Sequence, residues 1–204
     1  MTKKIYVVMA SYLESYPTGA VDREEKFKRA VDSFISNTYD KKKLVIVADG
    51  CSKTECIYNE KYRDNPDIVC LCIDKQTHLS GVVRNKGLEY VKKEADPEDI
   101  VCYLDTDDRF GEGHLQHIVS HFKEDFVIYD THRYSPQGWY VSKVAMKSAH
   151  IGTSSFAHKA GLEASWPDSY GHDWKILEDL SSRYTYAEIP LAQYYIHHTP
   201  NSEC

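Results

Sequence analysis

Asp105, Asp107 and Asp108 directly follow an apolar segment, residues 100–104. Such a segment is typical of a buried strand, and open α/β sheets bind ligands at the carboxyl ends of their strands. Because side chains alternate along an extended chain, Asp105 and Asp107 can face the same way on either side of Thr106. Two such carboxylates suit Mg²⁺ or Mn²⁺, which completes its coordination with phosphate oxygens. Alternatively, Asp107 and Asp108 cap the helix that follows.

Two more polar loops follow apolar segments that we expect to be neighbouring strands. Ala10, Ser11 and Tyr12 lie at the end of the first apolar segment, and Asp49 follows the second, residues 44–48. We expect both loops to share one crevice with the carboxylates that follow the fourth strand. Asp49 could accept a hydrogen bond from a nucleobase or a ribose there, or it could simply form an Asx-turn.

Arg84 and Asn85 lie near the start of a predicted helix, within residues 81–87. The planar guanidinium of Arg84 matches a diphosphate or a base, although a solvated helix face is the alternative explanation. The chain contains no Gly-x-x-x-x-Gly-Lys phosphate loop and no Gly-x-Gly-x-x-Gly fingerprint. Their absence disfavours an ATPase and a dinucleotide-dependent enzyme.

A polar and aromatic loop, residues 166–174, leads into another predicted helix. Asp173, at the start of this helix, could act as a general base or could simply cap the helix. Trp166, His172 and Trp174 offer flat faces to a sugar ring, although aromatic residues in loops more often pack against the protein. This loop is therefore a candidate acceptor site.

His197 and His198 follow the last predicted strand. A neutral imidazole at this place could complete a Mn²⁺ site that begins with Asp107. The alternative is that both histidines have a structural role. The sequence leaves this choice open.

The composition is that of an ordinary globular protein of 204 residues, 42% of them hydrophobic and 27% charged. A net charge of −6 disfavours broad nucleic-acid binding, which usually needs a basic surface. The longest apolar run, residues 5–10, is too short for a membrane span or a signal-peptide core. The six cysteines lack the spacing of zinc ligands, so we expect a reduced, cytoplasmic protein.

Strand and helix patterns alternate over the first half of the chain, which predicts an α/β fold with a largely parallel sheet. After Asp108 the pattern changes to antiparallel strands with separate helices. No internal repeat or linker divides the chain, so we predict one domain over residues 1–204. The predicted strands are residues 4–10, 44–48, 68–73, 100–104, 126–131 and 139–145, with a strand or loop at 152–158 and one or two strands in 185–197; the predicted helices are 23–37, 54–62, 80–95, 113–121 and 173–184.

With these motifs in this order, the chain resembles the nucleotide-sugar glycosyltransferases of the GT-A fold, especially glycosyltransferase family 2. The resemblance covers most of the chain: each of its segments alone is weak evidence, but six of them in this order are strong evidence. It implies a Rossmann-like, mostly parallel sheet flanked by helices, with a nucleotide-binding half before an acceptor-binding half. The matching segments are the first strand with its loop, then residues 47–52, 81–87, 104–108, 152–156 and 171–174; the two halves are 1–110 and 111–204.

The resemblance also implies roles for individual residues. Asp49 would bind uracil, with Arg84 steadying the nucleotide. Asp105 would face the ribose or the metal, and Asp107 would ligate the metal against the diphosphate. Asp173 would take the proton of the acceptor hydroxyl. The remaining implied contacts are Ala10, Ser11, Tyr12, Asn85 and Thr106 for the donor, His197 and His198 for Mn²⁺ or Mg²⁺, and Ser154, Trp166, His172 and Trp174 for the acceptor or sugar.

The implied function is metal-dependent transfer of a hexose from a UDP-sugar, such as UDP-glucose, to a glycan or glycoprotein acceptor. Inversion through Asp173 is the preferred mechanism, and retention fits if Asp173 only positions the sugar. The chain lacks the Gln-x-x-Arg-Trp motif and the membrane helices of processive synthases, which favours single additions. Because the chain stops soon after His198, it is compatible with one domain of a longer protein.

Three other functions remain open from the sequence. A sugar-phosphate nucleotidyltransferase would need a glycine-rich basic loop after the first strand, where this chain has residues 9–13, Met-Ala-Ser-Tyr-Leu. A phosphatase with Asp105 as nucleophile would fit Asp-x-Asp after an apolar strand, but that strand normally comes first in its domain. A non-catalytic module would bind a sugar nucleotide or a partner, and substitution of Asp173 would leave its affinity unchanged.

Overall fold

The computed structural model describes residues 3–16, 19–76, 80–135, 137–148, 150–190 and 193–197. The strands are β1 (Ile5–Ser11), β2 (Lys42–Asp49), β3 (Ile68–Ile73), β4 (Ile100–Tyr103), β5 (Arg109–Phe110), β6 (Phe126–Tyr129), β7 (Thr131–Ser135), β8 (Gly138–Ser142), β9 (Phe156–Lys159), β10 (Tyr186–Ile189) and β11 (Tyr194–Ile196). The helices are α1 (Arg23–Ile35), α2 (Ser52–Lys61), α3 (Ser80–Glu94), α4 (His114–His121) and α5 (His172–Arg183), with a short 3₁₀ helix at Thr153–Ser155.

Seven strands form the main sheet, in the order β10-β6-β9-β4-β1-β2-β3. β1 pairs in parallel with β2 and β4, β2 with β3, and β6 with β10, whereas β9 runs antiparallel to both of its neighbours. The sheet is therefore mixed and mostly parallel, which confirms the predicted fold class. Because β1, β2 and β4 point the same way, their carboxyl ends lie along one edge of the sheet.

β1 lies between β2 and β4 and is covered on both faces. Ile5, Val7 and Met9 belong to the core on one side, and Tyr6 and Val8 to the core on the other. A strand buried on both faces is apolar almost throughout, which explains why β1 shows no alternation in its sequence. Residues of α1, α2 and α4 complete the first core, and residues of α3 and α5 complete the second.

α3 packs closely against β1 because residue 87 is a glycine. A Cβ atom at Gly87 would lie 2.5 Å from Cγ1 of Val8 and 3.4 Å from Cγ2 of Val47. Only a residue without a side chain allows this approach of helix to strand. The first two turns of α3, with Arg84, thereby lie beside the carboxyl ends of the parallel strands.

Four short strands form a second sheet in the order β5-β11-β7-β8. The strand predicted over residues 126–131 is in fact two strands, because β6 belongs to the main sheet and β7 to the second. The chain changes sheet at Asp130, whose carboxylate accepts hydrogen bonds from Nζ of Lys143 at 2.6 Å and from the backbone N–H of Val144 at 3.0 Å. The expected antiparallel pairing with the strand after residue 138 holds for β7 alone.

The described cysteines form no disulfide. Free thiols are present at Cys51, Cys56, Cys70, Cys72 and Cys102. Burial raises the pKa of the Cys102 thiol, so this residue behaves as a small apolar side chain of β4.

Within the described residues, no helix combines the length and the apolar character that crossing a bilayer requires.

Candidate active site

The carboxyl ends of β1, β2 and β4, together with the start of α3, border a cavity of about 500 Å³. This volume lies within the range of small-molecule sites, roughly 300–1,000 Å³. The structure brings together here every residue that was predicted to contact the donor except Asn85. The cavity is lined by Ala10, Ser11, Tyr12, Tyr16, Arg23, Asp49, Lys75, Ser80, Val83, Arg84, Asp105, Thr106 and Asp107.

Asp49, at the end of β2, is only 5% exposed. Its Oδ2 accepts a hydrogen bond from Nζ of Lys75 at 2.6 Å, and its Oδ1 accepts one from the backbone N–H of Gln76 at 2.6 Å. The ammonium of Lys75 also lies 4.2 Å from the ring centroid of Tyr12. Because an ionised carboxylate has about four acceptor positions, Asp49 can still accept a hydrogen bond from a ligand.

Arg84 and Asp105 form an ion pair in the cavity wall. Nη2 of Arg84 donates to Oδ1 of Asp105 at 2.8 Å, and Nη1 donates to Oγ of Ser80 at 2.6 Å. Burial raises the pKa of the Asp105 carboxyl, Arg84 opposes this rise, and the neighbouring Asp107 adds to it. Arg84 therefore stabilises the ionised form of a carboxylate that burial and a second acid would otherwise protonate.

Asp108 connects the loop after β4 to the end of β11. Its Oδ2 accepts a hydrogen bond from the hydroxyl of Tyr194 at 2.9 Å, and its Oδ1 accepts the backbone N–H of His197 at 2.7 Å. The same hydroxyl accepts the backbone N–H of Asp105 at 3.1 Å. Burial raises the pKa of Asp108 well above its usual value, and Asp107 and Asp105 raise it further. Asp108 thus fixes the backbone of the acidic segment.

Asp107 lines the cavity together with Asp105. Its backbone carbonyl accepts a hydrogen bond from Nη2 of Arg29 at 2.8 Å, which holds the loop against α1. The alternative that Asp107 and its neighbour cap the next helix is wrong, because α4 begins at His114 with Gly113 at the N-cap position. The two carboxylates that were predicted to hold a metal ion therefore border the same space.

A divalent cation fits these two carboxylates if phosphate oxygens supply the other ligands. Mg²⁺ in proteins is usually held in this way, by one or two carboxylates and the phosphates of a substrate. Across the described ranges, no group of three or more His, Cys, Asp or Glu side chains could hold a metal ion. Any metal ion held by Asp105 and Asp107 would therefore need further oxygens from a phosphorylated ligand.

His197, a predicted metal ligand, lies at the end of β11 among cationic side chains. Its Nε2 accepts a hydrogen bond from Nε of Arg109 at 3.2 Å, and the ring lies 4.7 Å from the ring of Trp139. Burial and the charges of Arg29 and Arg109 lower its pKa to about 3. The charge of Asp107 opposes this lowering, and a neutral imidazole is the form that binds a metal ion, so the role of His197 as a ligand stays a prediction. His198, the other predicted ligand, lies outside the described residues.

Asp173 lies in the first turn of α5, where Gly171 occupies the N-cap position. Its Oδ1 accepts a hydrogen bond from Oγ1 of Thr153 at 2.7 Å and lies 3.3 Å from Nε2 of His172. Burial would raise the pKa of Asp173, but His172, Thr153 and Arg84 outweigh burial and hold this pKa below its usual value. Asp173 is therefore ionised at neutral pH, as a general base must be.

Arg84 connects Asp105 with the pair formed by His172 and Asp173. Its Nη1 lies 3.3 Å from Nε2 of His172, while its Nη2 donates to Asp105. Asp173 is close enough to raise the pKa of Asp105. The acids predicted for donor binding and for proton removal thus belong to one connected network of charged groups.

Several residues that were predicted to contact a ligand do not line the cavity: Asn85, Ser154, Trp166, His172, Asp173, Trp174 and His197. Asn85 binds the backbone of Trp166 through both atoms of its amide. Nδ2 of Asn85 donates to the carbonyl of Trp166, and Oδ1 of Asn85 accepts from the backbone N–H of Trp166, both at 2.8 Å. Trp166 is 2% exposed and lies beneath Arg84, so it offers no face to a sugar. Ser154 is buried and Trp174 half-buried. The predictions for Asn85 and Trp166 are corrected here, because these residues position the loop before α5.

Five residues of the cavity were missed from the sequence: Tyr16, Arg23, Lys75, Ser80 and Val83. Lys75 follows β3, so the rule that ligands bind at the carboxyl ends of parallel strands could have identified it. Arg23 donates hydrogen bonds to the carbonyl of Tyr12 and to the hydroxyl of Tyr16. The sequence gives no signal for this contact, which depends on how the loop after β1 folds.

Comparison with known proteins gives a family and a fold. Residues 6–170 match the model of Glycosyl transferase family 2. A glucosyl-dolichyl phosphate glucuronosyltransferase of Haloferax volcanii is 30% identical over 104 residues, which are 51% of this chain and 29% of that relative. The chain thus spans less than a third of the length of this curated relative.

Crystal structures of residues 1–349 of S. aureus TarS have the same fold. They superpose with a TM-score of 0.70 at 16–17% identity and cover 94–96% of this chain, which spans 60% of theirs. One of these TarS structures is a complex with UDP and another a complex with UDP-GlcNAc. This likeness confirms the expected GT-A fold.

Proposed function

The chain belongs to glycosyl transferase family 2, and we propose that its cavity binds a UDP-sugar and that it transfers the hexose to a hydroxyl of a glycan or glycoprotein. The main support is the cavity itself, in which Asp49, Asp105 and Asp107 border one space at the strand ends. The UDP and UDP-GlcNAc complexes of TarS, which shares the fold, favour a uridine nucleotide as donor.

The donor half of the proposal uses the acids at the ends of β2 and β4. Asp49 binds the base, and Arg84 supports the nucleotide side of the cavity through its ion pair with Asp105. Asp105 and Asp107 would hold Mn²⁺ or Mg²⁺, which when bound would neutralise the charge that develops on the departing UDP. The raised pKa of Asp105 supports this role, because an added positive charge would relieve the repulsion between the two carboxylates.

The acceptor half of the proposal uses Asp173. The acceptor oxygen forms a bond to the anomeric carbon while the bond from that carbon to the UDP oxygen breaks. The acceptor proton moves to the Asp173 carboxylate, and the electron pair of the broken bond leaves with UDP. Thr153 and His172 orient the carboxylate. Attack from the face opposite UDP inverts the anomeric configuration.

The proposal is tested by calorimetric titration of UDP, GDP, UDP-glucose and UDP-GlcNAc, each with Mn²⁺ and with a chelator. The wild-type protein is expected to bind UDP and a UDP-sugar more tightly with Mn²⁺, and Asp107→Ala is expected to lose that gain. Asp64→Ala is the matched control, since Asp64 is exposed in the turn between α2 and β3. The absence of nucleotide binding in every condition would overturn the proposal.

A further inference from the structure

One side of the second sheet carries a cluster of aromatic rings. Tyr195 of β11 pairs with His132 of β7, and Tyr134 of β7 pairs with Trp139 of β8. Residues that pair across neighbouring strands, and residues two apart in one strand, lie on the same side of a sheet. The rings are in contact, with 4.6 Å between the centroids of His132 and Tyr195 and 5.2 Å between those of Trp139 and Tyr195. These four residues form what we call the aromatic face.

Trp139 is the exposed member of the aromatic face. It lies on β8, the last strand of the second sheet, and is 39% exposed, while the other three residues are half-buried. The angles between the indole and the rings of Tyr134, Tyr195 and His197 are 63°, 84° and 65°. Among the described residues no ring is therefore parallel to the indole, and a flat ligand can stack on its exposed part.

Polar atoms lie around the indole. Nε of Arg109 donates to Nε2 of His197 at 3.2 Å, and its guanidinium lies 4.1 Å from the ring centroid of Tyr195 and 5.9 Å from that of Trp139. In the part of the chain that the structure describes, neither Nη atom of Arg109 and neither hydroxyl, of Tyr134 or of Tyr195, has a hydrogen-bond partner. These groups can form hydrogen bonds with a ligand that lies on the indole.

A sugar ring matches both properties of this surface. The flat side of a pyranose carries carbon-bound hydrogens, which pack against the electronegative face of an aromatic ring. Its hydroxyls point outward from the ring, where they can accept from the guanidinium of Arg109 and exchange hydrogen bonds with the hydroxyls of Tyr134 and Tyr195. The aromatic face thus has an apolar centre with polar groups at its edge.

The aromatic face adjoins the acidic segment of the cavity. The ring of His197 lies 4.7 Å from that of Trp139, and the backbone N–H of His197 donates to Oδ1 of Asp108 at 2.7 Å. Asp108 directly follows Asp107, which lines the cavity, whereas Trp139 is not part of the cavity wall. A ligand on Trp139 therefore lies outside the cavity but next to the carboxylates proposed for the donor.

We propose that the aromatic face binds a sugar ring of the acceptor, with the flat side of that ring against Trp139. The position favours the acceptor, because the donor occupies the cavity and the acceptor has to reach it from outside. The inference rests on the proposed function and deepens it, since it states where the acceptor binds. It also transfers the role of aromatic platform from Trp166, which is 2% exposed, to Trp139.

The experiment measures binding to a glycan array of pyranose oligosaccharides in the presence of UDP and Mn²⁺. The array identifies the oligosaccharide that the wild type binds best, and calorimetry gives the affinity of each variant for it and for UDP. Trp139→Leu keeps an apolar side chain but removes the aromatic ring. Its affinity for the oligosaccharide is expected to fall about 10-fold, while that for UDP stays within about 2-fold. Trp139→Phe is expected to recover part of the loss.

Tyr140→Leu is the matched control. Tyr140 follows Trp139 in β8, so its side chain lies on the opposite side of the sheet. It is 50% exposed, more than Trp139, and this substitution also replaces an exposed aromatic ring by leucine. The variant is expected to keep both affinities.

The outcomes separate the inference from the proposed function. If the wild type binds UDP but no oligosaccharide of the array, or if Trp139→Leu keeps its oligosaccharide affinity, the inference is overturned while the donor half of the proposed function stands. The inference is also overturned if Tyr140→Leu loses as much affinity as Trp139→Leu, or if Trp139→Leu loses UDP and oligosaccharide affinity equally. If the wild type does not bind UDP, the proposed function fails and the inference fails with it.

Sedimentation of the wild type and of Trp139→Leu tests another occupant of the aromatic face, a second copy of the chain. If the wild type is a dimer and Trp139→Leu is a monomer, the aromatic face joins two copies and the inference is overturned. The same state of association in both proteins supports the inference.

Discussion

Nη2 of Arg84 donates a hydrogen bond to Oδ1 of Asp105 at 2.8 Å, and Nη1 of the same side chain lies 3.3 Å from Nε2 of His172. A single buried side chain thereby connects an acid proposed for donor binding with the pair that contains the proposed base, Asp173. The planar guanidinium presents several donors in a fixed geometry, which lets this one side chain make both contacts. Changes to Arg84 should therefore affect both halves of the site.

Arg84→Lys is expected to weaken UDP binding and to lower turnover, because one ammonium cannot bond both Asp105 and Ser80 in the same geometry. The free energy of unfolding should fall by about 2 kcal/mol, since hydrogen bonds to a charged group are lost in a buried place. Urea unfolding and UDP titration measure the two effects. The control is Arg183→Lys, whose partners Asp179 and Glu163 are exposed; a loss as large in this variant would contradict the account.

Tyr194→Phe removes the hydroxyl that joins Asp108 to the backbone N–H of Asp105. The free energy of unfolding is expected to fall by about 1–3 kcal/mol, because buried polar groups are left without a partner. Tyr195→Phe is the control, since the described structure gives the Tyr195 hydroxyl no hydrogen bond, and a change within about 0.5 kcal/mol is expected. Equal effects of the two substitutions would show that the hydroxyl of Tyr194 does not hold the acidic segment.

His114 should make the fold sensitive to acid. Burial lowers its pKa to about 3, below the value near 6.5 of an unfolded chain. The unfolded state therefore binds the proton first, and stability should fall as the pH drops below about 6.5, by up to about 1.4 kcal/mol per pH unit. Burial lowers the pKa of His158 to about 4 in the same way, so it adds to this loss.

His114→Phe tests this dependence. Both ring nitrogens of His114 are buried and lack a hydrogen-bond partner within the described residues, while the ring stacks on Phe110. Phenylalanine is expected to raise the free energy of unfolding by about 1 kcal/mol at pH 7 and to reduce its loss at pH 5. Urea unfolding at both pH values measures the free energy of unfolding. If this free energy falls between pH 7 and pH 5 as much in His114→Phe as in the wild type, His114 is not the source of the acid sensitivity.

Thr153→Val should shift the pH dependence of turnover. Thr153 donates to Asp173 at 2.7 Å and lowers its pKa, so loss of the hydroxyl raises that pKa and moves the acid limb of the profile to higher pH. Thr185→Val is the control, because Thr185 makes a comparable hydrogen bond, at 3.0 Å, to Asp125 on the surface. An acid limb that stays in place in Thr153→Val would argue against Asp173 as the group that controls it.

The fold and part of the site were predictable because they follow from periodicity and topology. Apolar segments that alternate with helical patterns require parallel strands, and parallel strands bring the residues at their carboxyl ends together. Asp49, Asp105 and Asp107 were therefore placed at one edge without any knowledge of their contacts. The same rule, applied to β3, would have added Lys75.

Other features depend on tertiary contacts that leave no trace in a local pattern. Asn85 follows Arg84 in the same motif, yet its amide is used by the backbone of Trp166, 81 residues later in the chain. The division of residues 126–131 between two sheets depends on Asp130 and its contacts to a later loop. Neither outcome is encoded by hydrophobic spacing, because each is set by a partner that is distant in sequence.

A single substitution, Asp173→Asn, should separate binding of the donor from transfer of the sugar. UDP affinity is measured by calorimetry, and UDP release from UDP-glucose and UDP-GlcNAc is measured with a panel of glycan acceptors. We expect wild-type affinity for UDP and turnover that is lower by at least about 100-fold, because asparagine cannot take the proton of the acceptor hydroxyl. Turnover equal to that of the wild type would show that Asp173 is not the base.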